Sequence, residues 1–126
     1  MEKKDLKPAG VFKYFEEICQ VPRPSKKEEK MIAYLKAFGA KHNLETKVDE
    51  AGNVLIKKPA TPGKENLQTV VLQSHIDMVC EKNNDVQHDF LTDPIETEID
   101  GEWLKAKGTT LGADNGIGSY RTGYSG

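Results

Sequence analysis

VVLQSHIDMVCEKN, running from Val70 to Asn83, is the stretch on which the reading of the fold turns. A short apolar run ends at His75 and Asp77, two positions apart, and then gives way to a polar loop. Such a run, nearly unbroken by polar residues, predicts a strand over Thr69 to Gln73, covered on both faces at the centre of a sheet. Side chains at i and i+2 of an extended chain share a face, so His75 and Asp77 are expected side by side just past the strand's C-terminal end. Open α/β sheets bind ligands there. A neutral imidazole ligates zinc, and a carboxylate accepting its other N–H fixes the tautomer and raises basicity. From these two residues alone two readings stay open: a metal site, or a His–Asp pair bonded to each other or to a loop.

Upstream, Val11, Phe12, Phe15, Ile18 and Cys19 recur at helical spacing, which predicts a helix from Val11 to Val21 that the prolines at 22 and 24 terminate. Ser25 followed by Glu28 has the form of a capping box, and Met31, Ile32, Leu35 and Phe38 line one face of a second helix ending near His42. His42 is expected to be a solvated or dipole-favoured residue of that last turn. Leu44, Thr46 and Val48 then alternate with charged residues, and a turn at Gly52 and Asn53 leads into Val54 to Lys57, which predicts a hairpin. Pro59 to Asn66 reads as a surface loop. Downstream of the opening stretch, Ile95, Thr97 and Ile99 alternate up to Asp100 and Gly101, a pair favouring a type I′ turn, and Trp103 and Leu104 begin the returning strand. Helices first, then strands, with a helix start near Asn115, indicates an α/β layered domain.

The 126 residues, 37% hydrophobic and 30% charged, suit one small soluble domain able to bury roughly two-thirds of its unfolded surface. Lys plus Arg at 18 against Asp plus Glu at 20 gives a net charge of −2 with no basic stripe, so neither nucleic acid nor an anionic membrane is an expected partner. No apolar run approaches the roughly 20 residues of a membrane span, and the charged start MEKKDLKPAG has no apolar segment behind it. The cytoplasm is the expected compartment. Cys19 and Cys80 are too few and too far apart for a disulfide framework or a CxxC pair, and both are expected as free thiols.

A second constellation is GTTLGADNGIG, Gly108 to Gly118, where a single carboxylate, Asp114, is set among residues that allow close backbone approach. The order Gly116, Ile117, Gly118, Ser119, Tyr120, Arg121 puts Arg where a Rossmann fingerprint needs its third glycine, and no Gly-Lys-Ser/Thr follows as in a P-loop. Nucleotide binding is thereby disfavoured. On this segment alone, Asp114 and Asn115 fit a turn or the N-cap of the helix beginning there.

The two segments together, HID at a strand end and LGADNG with its aspartate 37 residues beyond Asp77, resemble the zinc-dependent aminoacylase/carboxypeptidase peptidase family, and within it the aminoacyl-histidine dipeptidases. VPRPSKKEEK, AGNVLIKKPAT, VVLQSHIDMVCEKNNDVQHDF and DPIETEIDGEWLKAKGTTLGADNGIG all look like that subfamily's N-terminal region, over roughly residues 6 to 118. The resemblance implies an α/β fold: an incomplete three-layer zinc-peptidase catalytic domain, two N-terminal helices followed by a mixed sheet. It implies His75 as a ligand of one metal, Asp77 as the catalytic-centre carboxylate that clamps His75, and Asp114 as the aspartate shared by two metals. Asn115 follows it at a position where the family typically has a cis peptide. Two divalent ions, zinc first with manganese or cobalt as alternatives, would lie about 3.5–4 Å apart and activate water for attack on an Xaa-His dipeptide carbonyl. The expected partner is a small dipeptide, and a homodimer of the full-length enzyme is left open. His88 and Asp89 match no ligand role and are expected to serve the loop or its packing.

The family's remaining ligands, its glutamate base and a late histidine find no counterpart here. Where the family continues into a helix of small and apolar residues, this chain reads SYRTGYSG, a poor helix former. Residues 1–118 are accordingly expected to be the N-terminal part of a metallopeptidase catalytic domain, and 119–126 a non-family tail, from a frameshift or a cloning scar. A catalytic zinc needs about three protein ligands, so the isolated chain is expected to be inactive. The alternative function is a non-catalytic metal-binding or interaction module.

Overall fold

The computed structural model describes residues 9–117, and the 119–126 tail lies outside them. Two helices come first, α1 (Ala9–Cys19) and α2 (Glu29–Lys41). α1 sits two residues upstream of the predicted span, and Pro22 and Pro24, with no N–H to donate, keep it from continuing. Its apolar residues divide between two clusters. Phe15 and Cys19, one turn apart, are fully buried with Met78 and Ile95, while Ile18 meets Met31 of α2. The Tyr34 hydroxyl on α2 donates to Glu17 on α1 at 3.0 Å and fixes the pair of helices laterally.

The predicted capping box does not form. α2 starts from Glu28 with no side-chain cap bond, and the Glu28 carboxylate accepts the Lys26 amide at 2.8 Å. Ser25 turns away to Asp77, because a hydroxyl bonds a carboxylate more strongly than it bonds a neutral amide.

β1 (Glu45–Val48) and β2 (Val54–Lys57) form the predicted antiparallel hairpin, with Glu45 opposite Lys57 and Val48 opposite Val54. Asp49 closes its turn by accepting the Asn53 amide and side chain, both at 2.8 Å, while Gly52 takes a φ of 88°. α2 lies so close over this hairpin that a Cβ added at Gly39 would collide with the Thr46 hydroxyl. Overpacking costs about 1–3 kcal/mol, against a helix-propensity gain of up to about 1 kcal/mol for Gly to Ala. Gly39→Ala is therefore expected to lower the urea midpoint by an amount worth about 1 kcal/mol. An unchanged midpoint would mean that Thr46 rotates aside freely.

β3 (Thr97–Asp100) and β4 (Trp103–Ala106) form the second predicted hairpin. Asp100 pairs with Trp103, so the two loop residues are Gly101 and Glu102. Gly101 has a φ of 62° and Glu102 does not share its sign, which is the II′ pattern rather than the predicted I′. The hairpin is held on α1 by the Thr97 hydroxyl, which donates to Glu16 at 2.6 Å, and by the Ile95 amide, which donates to the Cys19 carbonyl at 2.8 Å.

The chain is thus α/β, two N-terminal helices followed by small antiparallel sheets. The strand predicted over Thr69 to Gln73 is absent. Val70 and Val71 are 80% and 78% exposed, in a run without regular secondary structure that joins no strand among the described residues. A strand exists only through a ladder, and neither hairpin reaches this run, so no mixed sheet forms among these residues. Cys19 is buried, Cys80 half-buried, and no disulfide joins them. No helix among the described residues is long and apolar enough to cross a membrane.

Candidate metal centre

Three segments meet at the site: the link between α1 and α2, the run ending at Asp77, and the glycine-rich loop carrying Asp114. The first two are joined by a parallel bridge between Pro24 and Met78, whose amide donates to the Arg23 carbonyl at 3.0 Å. The third is tied in by Thr110, which donates its amide to the Glu81 carbonyl at 2.8 Å and its hydroxyl to the Val79 carbonyl at 2.7 Å, next to an antiparallel bridge between Lys82 and Thr109. Gly112, at a φ of 79°, then bends the chain into a helical turn over residues 113–117, two positions before the predicted start. Asp114 and Asn115 therefore lie within that turn, and the peptide between them is cis.

These ties bring His75 and Asp114 together across 39 positions of sequence, with His75 Nε2 at 3.1 Å from Asp114 Oδ1. His75 Nδ1 is 3.1 Å from Asp77 Oδ1, and the other Asp77 oxygen accepts the Ser25 hydroxyl at 2.5 Å. Were Nδ1 to donate to Asp77, the neutral ring would turn its Nε2 lone pair toward Asp114, and a cation between the two would then join them. The bond to Asp114 holds the His75 pKa above its ordinary 6.5, with the charge of Asp77 acting in the same direction. Asp77 is held below the usual carboxylate range, first by the Ser25 hydroxyl and further by His75.

The same geometry accepts a metal. Two ligand atoms on one cation with bonds of about 2.0–2.2 Å lie roughly 3–3.5 Å apart, and His75 Nε2 and Asp114 Oδ1 stand at 3.1 Å. The Asp114 side chain is 98% exposed, open to any further donor. Among the described residues no group of three His, Cys, Asp or Glu converges, so a metal held here would find only these two donors among them.

No family model matches the chain. It is 51% identical over 117 residues to a cytosol non-specific dipeptidase of Escherichia coli strain K12, a match covering 93% of this chain. It superposes on the crystal structure of an aminoacylhistidine dipeptidase from Vibrio alginolyticus with a TM-score of 0.90, at 53% identity over 95% of this chain. The chain is a dipeptidase homologue. It spans 24% of the length of each of these relatives.

In this homologue a groove of about 680 Å³ adjoins the site, lined by Glu28, Asn53, Gln73 and Ser74 among others and bounded by His75 and Asp77. The other histidines are elsewhere. His42 ends α2 against the Phe38 ring at 4.4 Å, and His88 packs on Phe90 at 4.5 Å, the packing role expected of it. Burial pushes the Cys80 thiol pKa up, which disfavours the thiolate a nucleophile needs. Ser25 is the contact that sequence reasoning missed. Its local pattern fits a helix cap, and its only other signal is its place in VPRPSKKEEK, one of the stretches carrying the family resemblance.

Proposed function

We propose that His75, Asp77 and Asp114 are part of a two-metal centre hydrolysing aminoacyl-histidine dipeptides, in a longer cytosolic enzyme of the kind its relatives exemplify. The observation that carries this reading is the His75–Asp114 approach at 3.1 Å, a ring nitrogen facing a carboxylate oxygen with Asp77 behind the imidazole. Asp77 keeps the His75 proton on Nδ1 and the lone pair on Nε2, and the Ser25 hydroxyl keeps Asp77 ionised and oriented. Asp114, on an exposed turn flanked by glycines, offers a second oxygen to a neighbouring ion. His75 and Asp114 would hold a divalent ion, zinc foremost, which when bound would supply Lewis-acid activation of a carbonyl and of water at neutral pH. The dipeptide would occupy the groove beside His75. Two donors without a third among the described residues hold zinc weakly, so the chain alone is expected to bind the ion without turning over substrate.

Zinc binding and proton binding compete for His75, which gives the test. The histidine's raised pKa stabilises the metal-free fold below pH 6.5, and that contribution disappears as pH rises through the raised value. Zinc affinity runs the other way, falling as pH drops through the same value. Calorimetry at pH 6 in two buffers of different ionisation enthalpy is expected to show about one proton released per zinc bound. Uptake with no proton release would place the metal away from His75, and dipeptide hydrolysis by the chain alone that His75→Ala abolishes would contradict its dependence on further donors.

A further inference from the structure

We infer that Arg23 is a positioning residue of the centre, holding the turn that carries Asp114 at the distance His75 requires. The inference rests on the metal reading only for its purpose; its geometry stands alone. Arg23 is 1% exposed, the largest fully buried side chain among the described residues. Its Nη2 donates to the Gly112 carbonyl at 2.6 Å, and the same carbonyl accepts the Gly116 amide at 2.9 Å, closing the turn around Asp114. Both glycines are shaped to the guanidinium: a Cβ at Gly112 would lie 2.5 Å from Nη2, and one at Gly116 would lie 2.8 Å from it. The main chain of Arg23 grips the other half of the site through the Met78 amide, and Ser25, two residues on, bonds Asp77. One short segment thus sets the separation between the ligand-bearing turn and the histidine.

Stability alone does not account for this arginine. Its Nη1 is buried without a hydrogen-bond partner among the described residues, a costly arrangement that an apolar side chain of similar length would avoid. The carbonyl it reaches would still hold its bond from Gly116. What an apolar replacement would lose is the directional tie between residue 23 and residue 112.

The test is an NMR comparison of the intact metal-free chain with its Arg23→Met and Arg23→Lys variants. It reads the nuclear Overhauser contact between the His75 ring and the Asp114 β protons, with the cross-strand contacts of β1 and β2 as the control for folding. The wild type is expected to show the His75–Asp114 contact. Arg23→Met is expected to lose it with the hairpin contacts intact, and Arg23→Lys, which keeps a donor, to regain it. A contact that persists in Arg23→Met overturns the inference, and so does its absence from the wild type. Should Arg23→Met lose the hairpin contacts too, Arg23→Leu decides, since it also removes the donor and is shorter than the side chain it replaces. Loss of the contact in a folded Arg23→Leu chain supports the role, and retention overturns it. Zinc added to the same samples separates the two claims: a wild type that has the contact but ignores zinc refutes the metal reading and leaves Arg23 in its role.

Discussion

Asp77→Asn is expected to weaken zinc binding by about 10–100-fold, the usual cost of removing the group behind a metal-bound histidine, while the chain stays folded. The substitution keeps the volume of the side chain and an oxygen for the Ser25 hydroxyl, so the joint with the α1–α2 link can survive. It removes the charge behind His75 Nδ1. An amide can also turn its NH₂ toward that nitrogen, which drives the proton to Nε2, the atom that should hold the metal. Competition against a chromophoric chelator measures the affinity, and a thermal melt monitors the fold. Unchanged affinity would mean that Asp77 does not govern the ring, and a collapsed melt would assign it to the scaffold instead.

Phe15→Ala is expected to cost about 3–5 kcal/mol, the range for truncating a buried phenylalanine. Phe15 is wholly buried and joins α1 to Met78 and Ile95, the residues that anchor the site segment and the second hairpin. Single domains are stable by only about 5–15 kcal/mol, and this chain leaves Val70 and Val71 in water, so the variant should be largely unfolded at ambient temperature. The loss should reach the site as well, because a Cβ at Gly116 would lie 2.9 Å from the Phe15 ring, on the turn that bears Asp114. Urea unfolding followed by circular dichroism is the measurement. A loss below about 1 kcal/mol would fall outside the cost of such a truncation and would show that Phe15 is not central to the core.

What the sequence made legible was what local chemistry decides. Val48, Asn53 and Val54 specify the first hairpin through alternation and a turn whose side chains close on themselves, and Pro22 ends α1 for want of a donor. What stayed hidden depends on partners far along the chain. Val70 to Leu72 read as a central strand because they are apolar, yet a ladder needs a neighbour, and neither hairpin supplies one. Ser25 satisfies a capping pattern in sequence, but the carboxylate it chooses lies 52 positions away. Arg23, between two prolines, has the appearance of an exposed charge, and only the bent Gly112 loop reveals why it is buried. The pairing of His75 with Asp77 was legible from their spacing, but the convergence with Asp114 rests on ties made by Thr110, a residue with no signal of its own.

On the proposed function, His75 presents Nε2, and not Nδ1, to a cation shared with Asp114. Imidazole nitrogen NMR of the chain titrated with cadmium, as a spin-active stand-in for zinc, observes this atom directly. A one-bond cadmium coupling to His75 Nε2, with Nδ1 still protonated and the coupling abolished in Asp114→Ala, is the result expected. Coupling through Nδ1, or a His75 spectrum unchanged at saturating cadmium, would contradict it.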